Sequence, residues 1–518
     1  MFDYLRRLAT TGAAYTAASV FSKLIAVFLL PIYTAALSPS DYGAAEVMLA
    51  SVIAASIVIR FGLIESLLRF YYLKGTPAQQ VVASGFAAIF WATTAGALAL
   101  LAFAEPISEA LLGEPDAGLA RLAVLGLWTL TLWEYVLTLL RLDERAKAYF
   151  AITVANVVAT IPVTVWLVVV QDQGAAGILL GSFGTGAAFL LWRVAVEWRR
   201  LALSWDGPLL RRMIRFGLPT MPAELSLYSL NFIDRILIVR LAGLAEAGLY
   251  ALAIKFAQGM NVLARGFQLA WPPLAYSIAD DDQARRAYSL VFTWFAAVCA
   301  FVVAGLWLLA RWIVELLAAP EYFEAYEAVG LLTTGIALYS LYLVLVVILG
   351  RTGRTEFNLP ATIAGTAVNI VLNVILIPPL GIVGAAIALV ASYLVILAAM
   401  YVVTQRLFPV PYEWGRLALL VTVTAALVAA GELVLPRDGL DGFFLRVMVW
   451  LALPAVLWMA GFLSEQERRV LRTLLRPSAV RERLQALRDA ARNQSVAEDE
   501  SVSSAEIYEQ VRRDEDRL

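Results

Sequence analysis

Apolar residues run through the chain in long blocks, and polar residues collect in the short gaps between them. A helix needs about 20 apolar residues to cross a hydrocarbon core, and on that rule the blocks predict about 14 transmembrane helices. The first seven lie roughly at 12–37, 43–72, 80–103, 117–141, 149–170, 174–197 and 212–240. The others lie roughly at 246–278, 287–310, 325–349, 356–378, 381–404, 413–435 and 442–463. The expected fold class is therefore an all-α polytopic membrane protein. Arg6 and Arg7 precede the first block, which contains Lys23. That block is too long for the core of a signal peptide and reads as a retained first span.

Charge in the gaps alternates. The stretches 141–147, 193–215, 285–286, 351–354 and 406–416 are rich in arginine, whereas Ser38–Asp41 and Gln171–Gly174 hold no basic residue. About 18 basic residues fall on one side against about 3–5 on the other, so the positive-inside rule predicts both termini in the cytoplasm. Localisation to the cytoplasmic (inner) membrane follows as an expectation. Gaps on the opposite side are short, and the longest spans 104–116. Beyond 464 the chain changes character. Residues 465–492 hold eight arginines against Glu465, Glu467, Glu482 and Asp489, with leucines and valines at helical spacing. This pattern fits an amphipathic helix on the anionic inner leaflet, or a solvated helix held by ion pairs. Residues 493–518 hold eight acids and three arginines and read as disordered.

Composition narrows the chemistry. The 518 residues are 61% hydrophobic and 16% charged, where soluble domains run near 45–50% and 25%. Forty basic residues balance forty-one acidic ones, which argues against nucleic acid as a partner. Histidine is absent, which removes histidine metal sites and proton relays, and the single Cys299 excludes an intramolecular disulfide. No Gly-Lys-Ser/Thr phosphate loop occurs, so no nucleotide hydrolysis is expected. Neither a cofactor nor a metal is implied, and no loop opposite the cytoplasm has room for an enzyme's catalytic groups.

The chain also repeats itself. Asp41-Tyr-Gly43 corresponds to Glu246-Ala-Gly248, and Arg60 to Arg265, both 205 residues on. Gly174-Ala-Ala-Gly177 corresponds to Gly381-Ile-Val-Gly384 at an offset of 207. Two six-helix halves, 1–210 and 211–410, are expected, followed by two further helices in 411–463 and the tail 464–518. Transporters built of repeated halves hold substrate between them.

Charge inside lipid costs at least ~2.5–3.5 kcal/mol at a helix centre, so such residues turn inward and carry function. Glu224, Tyr228, Asn231 and Arg235 share one face of the seventh span, while Lys255, Gln258, Asn261, Arg265 and Gln268 share one face of the eighth. Thr16, Ser19 and Lys23 form a stripe on the first span, and Glu46 and Arg60 lie on one side of the second. Milder stripes are Thr131, Glu134, Thr138 and Arg141, and Thr362, Thr366, Asn369 and Asn373. The second of these is explained by helix–helix hydrogen bonding. Basic residues outnumber acids near the centre, which points to an anionic substrate held by Lys23, Arg60, Arg235, Lys255 and Arg265. Ion coupling, where present, falls to Glu46, Glu134, Glu224 and Asp234. The competing reading makes these charges structural ion pairs, Arg235 with Glu224 or Asp234 among them.

Three motifs carry a family resemblance. LPIYTAALSPSDYG at 30–43, NFIDRILI at 231–238 with AGLYA at 247–251, and NIVLNVILIP at 369–378 with GIVGAA at 381–386 resemble bacterial polysaccharide biosynthesis transporters. Over residues 1 to about 463 the chain is similar to the oligosaccharide-lipid flippase branch of the multidrug/oligosaccharidyl-lipid/polysaccharide exporter superfamily. The resemblance implies a V-shaped, MATE-like pair of bundles working by alternating access. It also implies a substrate, polyprenyl-pyrophosphate-linked oligosaccharide moved from the inner to the outer leaflet for cell-surface polysaccharide. Lys23, Arg60, Lys255 and Arg265 then face the central cavity. Membrane lipids, and a polysaccharide polymerase or glycosyltransferases, are the implied partners. The alternative is an ion-coupled multidrug antiporter of the same superfamily, which would favour an acidic cavity and usually stops at 12 spans. A membrane glycosyltransferase is a third reading, disfavoured by the short loops.

Overall fold

The structure, a computed structural model, describes residues 27–73, 76–465 and 467–469, and every regular element among them is helical. The elements are α1 (Leu30–Ala36), α2 (Pro39–Ile59), α3 (Leu63–Phe70), α4 (Ala78–Ala102), α5 (Ala104–Leu112) and α6 (Ala117–Leu142). Next come α7 (Ala146–Val165, closed by a π-helical turn Trp166–Val170), α8 (Gly174–Glu197), α9 (Gly207–Gly217), α10 (Met221–Ala242), α11 (Leu244–Ala257) and α12 (Gly259–Ser277). The last are α13 (Asp281–Leu317), α14 (Tyr326–Thr352), α15 (Asn358–Leu407), α16 (Trp414–Val434) and α17 (Gly439–Met459). The chain divides into two compact units at residue 451. In the second, the Arg468 guanidinium donates to the Trp458 carbonyl at 3.2 Å. The basic and acidic pieces of the tail lie outside the described residues beyond 469.

The chain is a multi-pass membrane protein, and ten helices among the described residues are long and apolar enough to cross a bilayer. The expected count of about 14 is not reproduced as such, although α2 keeps the second block among the ten. Most of the first block lies outside the described residues. The second breaks at Phe61 and Gly62, both left-handed (φ 48° and 65°), which separates α2 from α3 just past Arg60. Helix α10 carries Glu224, Asp234, Arg235 and Arg240, and the eighth block is interrupted at Gln258 between α11 and α12. Finally, α15 joins two expected spans across a non-helical Gly381. The Gly207–Gly217 helix packs on α3 and α4, on the first half of the chain, through Leu209, Met213 and Gly217.

The Gly174 and Gly381 stretches, matched in the sequence, share a backbone feature. Gly174 and Gly381 open the equivalent stretches with φ +54° and +53°, a left-handed conformation that glycine adopts without strain. Each faces the equivalent acid of the other motif: a Cβ on Gly174 would lie 3.4 Å from Asp41 Oδ1, and one on Gly381 only 2.7 Å from Glu246 Oε2. Glu246 also accepts a hydrogen bond from the Ile382 amide at 3.1 Å. Gly174→Ala is therefore expected to cost the backbone strain alone, about 1–2 kcal/mol. Gly381→Ala adds the collision with Glu246, and its purified protein should melt at the lower temperature of the two.

Helices α2 and α11 meet closely at the Pro39 end. A Cβ on Gly43 would lie 2.2 Å from the Leu244 carbonyl oxygen, and one on Gly248 would lie 2.0 Å from that of Pro39. Helices α2 and α11 thus touch backbone to backbone through the repeated Gly43 and Gly248. Around this contact one apolar core spans both halves, including Leu37, Tyr42, Val47, Tyr250, Tyr322 and Leu332. A second core belongs to the first half and α9, with Leu67, Val81, Phe86, Tyr135, Leu139 and Met213. Farther along the chain, α16 packs on α13, and in α17 Trp450 stacks on Phe301 at 4.8 Å while Arg446 pairs with Glu432.

Candidate functional site

Helices α2 and α10 run antiparallel and are joined by polar contacts along their length. Near one end Arg235 donates to Glu46, to its backbone oxygen at 3.0 Å and to Oε2 at 3.3 Å. Midway the Tyr228 hydroxyl donates to the Ala50 carbonyl at 3.1 Å. At the other end Arg60 pairs with Glu224, and also with Glu134 of α6. Local structure favours this last arrangement. The left-handed break at Phe61–Gly62 makes Arg60 the C-cap of α2, and Glu224 lies in the first turn of α10. A cation at a helix C-terminus and an anion at an N-terminus are each stabilised by the helix dipole.

Lys255 sits in the last turn of α11 and donates to Tyr42 Oη and, at 2.5 Å, to Glu46 Oε1. Two cations therefore share Glu46, while two acids share Arg60. Asp234 belongs to neither group. Fully buried, it accepts from Tyr250 Oη at 2.9 Å and from Asn373 Nδ2 at 2.7 Å. Asn373 Nδ2 also donates to Asn369 Oδ1 at 3.1 Å, while Asn369 Nδ2 and Asn373 Oδ1 are buried without a hydrogen-bond partner.

A cavity of about 520 Å³ opens beside Arg60. Arg60, Glu134, Glu224 and Tyr228 line one side, and Gln258, Asn261, Arg265 and Gln268 line another. Tyr339, Tyr342 and Tyr393 form an aromatic wall, with ring centroids 5.9 Å and 5.4 Å apart. Arg265 is exposed and makes no ion pair among the described residues. The α12 stripe read from the sequence is thus the stripe that faces the cavity, and Arg60 and Arg265 both reach it from equivalent positions of the repeat.

Four expectations change. Lys255 and Arg235 do not line this cavity; both are held by Glu46. Arg235 pairs with neither Glu224 nor Asp234. Asp234 lies among neutral donors rather than in a cationic group, because one residue from Arg235 is about 100° around the helix. Among the described residues two arginines and two glutamates line the cavity, so their charges balance. Lys23 lies outside the described residues, as do Thr16 and Ser19. The sequence reading missed Tyr42, Tyr250 and the three wall tyrosines, whose hydroxyls look apolar-compatible in a hydropathy pattern. The Asn369–Asn373 stripe was visible, and the structure turns Asn373 onto Asp234.

The family model for polysaccharide biosynthesis proteins matches residues 35–319, more than half of the chain. Among curated proteins the chain is similar to the succinoglycan biosynthesis transport protein ExoT of Rhizobium meliloti (strain 1021), at 26% identity over 319 residues. That match covers 58% of this chain, which spans only 61% of the length of that relative. Among solved structures it resembles the lipid II flippase MurJ in an inward closed conformation, with a TM-score of 0.67 at 10% identity. The match covers 87% of this chain and 99% of that one. An inward-facing multidrug resistance MATE family transporter of the MOP superfamily gives a TM-score of 0.61 at 15% identity, covering 77% and 95%. The fold is accordingly MurJ- and MATE-like.

Proposed function

This chain belongs to the polysaccharide biosynthesis protein family, and from that premise we propose that it flips a polyprenyl-pyrophosphate-linked oligosaccharide from the inner to the outer leaflet of the cytoplasmic membrane. The observation that carries the reading is the polar cavity itself, walled by tyrosines and holding Arg60 and Arg265 at repeat-equivalent positions. Two guanidinium groups offer forked donors that match phosphate oxygens. Tyrosines and amides suit a glycan, which needs apolar faces and hydrogen bonds together. The lipid tail stays in the bilayer.

In this reading residues 1–210 and 211–410 are two bundles that alternate access to the cavity, 411–463 adds two helices, and 464–518 is a cytoplasmic tail. Both termini are cytoplasmic, and the close Gly43–Gly248 contact lies on the outer side. A polymerase or glycosyltransferases supply and consume the cargo, and the chain itself catalyses no covalent step. Of the four acids read as coupling residues, Asp234 fits best. Glu46 is neutralised by Lys255 and Arg235, and Glu134 and Glu224 hold Arg60. Asp234 has neutral partners and amide groups with unused capacity beside it. Asp234→Asn keeps the shape and removes the charge, so export should fall on the order of tenfold and lose its dependence on external pH and sodium. A variant that retains both dependences removes Asp234 as the coupling group.

The decisive experiment is flipping by the purified protein in liposomes, with a polyprenyl-pyrophosphoryl glycan as cargo. Transport of that lipid and not of cationic drugs is expected. The reverse result would establish the antiporter reading, to which the MATE-like fold and the two cavity glutamates lend support.

A further inference from the structure

Arg60 does not face the cavity bare. Its side chain is only 9% exposed, whereas those of Glu134 and Glu224 are 37% and 36% exposed. Two carboxylates thus stand between this guanidinium and the space beside it. Arg265, across the cavity, is covered by no carboxylate among the described residues. An anion entering here meets Arg265 freely but reaches Arg60 only by replacing the two acids, since like charges crowded in a poorly hydrated site repel strongly.

That exchange depends on the charge of the headgroup. A glycan joined to a lipid through one phosphate is a diester with a single negative charge. Joined through pyrophosphate, it carries two, on adjacent phosphorus centres. We propose that Glu134 and Glu224 are specificity residues: they hold Arg60 as a pair of surrogate anions, and only a headgroup presenting two adjacent negative charges exchanges with both. A singly charged headgroup displaces one carboxylate and is repelled by the other. The inference rests on the transport reading above and assigns the residues that select its pyrophosphate-linked cargo over a single-phosphate one.

A displaced Glu134 has somewhere to go. Arg141 lies two turns beyond Glu134 on the same face of α6, donates to Thr138 Oγ1 at 2.8 Å, and has no carboxylate partner among the described residues. Glu224 belongs to the second half of the chain and Arg60 to the first. Its release therefore cuts an ion pair between the halves, and the correct headgroup both binds and loosens α10 from the end of α2.

The test measures binding of two probes to the purified full chain in nanodiscs, polyprenyl-phosphoglucose and polyprenyl-pyrophosphoryl-glucose, which differ by one phosphate. The wild type is expected to prefer the pyrophosphoryl probe by about tenfold or more, and Glu134→Gln/Glu224→Gln to reduce that preference to about threefold or less. The change should come chiefly from tighter binding of the single-phosphate probe. Each single amide variant should fall between, and these serve if the double variant does not give a monodisperse, cooperatively melting protein. A wild type that prefers the pyrophosphoryl probe, with the preference unchanged in folded amide variants, overturns the role of the two acids and leaves the transport reading standing. Equal binding of both probes by the wild type overturns the proposal as well. Binding of neither probe overturns the transport reading and the proposal together.

Discussion

Replacing Arg265 by alanine is expected to stop glycan export while leaving the protein at wild-type abundance. The side chain is exposed to the cavity and makes no ion pair among the described residues, so its removal leaves no buried charge without a partner. Substitutions of that kind change stability by about 0.5 kcal/mol or less. Arg60→Ala should behave differently. Arg60 is buried and paired with Glu134 and Glu224; its loss leaves both carboxylates without a cation, and because each is over a third exposed to the cavity the cost is on the order of 1–3 kcal/mol. Its export loss should come with lowered abundance, whereas Arg60→Lys should retain the fold and export weakly. Complementation of a flippase-deficient cell, with immunoblotting of membranes, separates these outcomes. Normal export by Arg265→Ala would mean that the cargo does not pass this cavity.

Gly248→Ala should be strongly damaging for so small a substitution. Its methyl group would lie 2.0 Å from the Pro39 carbonyl oxygen, and the obstacle is backbone, which has no rotamer to change. Helices α2 and α11 must separate to admit it. Overpacking of this kind costs about 1–3 kcal/mol and here falls on the contact that joins the halves at the Pro39 end. A lower melting temperature, lost export and labelling of the cavity from the outer face are expected together. Gly184→Ala is the matched control, because nothing lies within 4 Å of the added atom. It should export normally and melt no lower than the wild type. A Gly248→Ala protein that melts and exports like the control would show that the two helices do not hold the halves closed.

The sequence by itself determined the elements that follow from local composition. Long apolar blocks must be helical in lipid, where each backbone polar group needs an internal partner. The gaps at 143–145, 198–206, 278–280 and 435–438 therefore fall where the polar clusters stand. The stripe of Gln258, Asn261, Arg265 and Gln268 was legible because helical periodicity is a local property, and so was the placement of Glu224, Tyr228 and Arg235 on one face. The Gly174 and Gly381 motifs were legible as a repeat, although their left-handed conformation and the acids opposite them were not.

Only the tertiary structure decided which charge meets which. Glu46 lies 189 residues from Arg235 and 209 from Lys255, and Arg60 lies 74 and 164 residues from Glu134 and Glu224. No periodicity reports such pairings, because they depend on which helices the packed core sets side by side. A count of charges therefore read an open cationic field where folding builds two compensated clusters. The turn at Phe61–Gly62 brings Arg60 to a helix end, and Glu46 of α2 draws Lys255 away from the cavity that Arg265 faces. Within lipid a charge must find an opposite charge or a hydrogen bond, and the fold alone fixes where that partner stands.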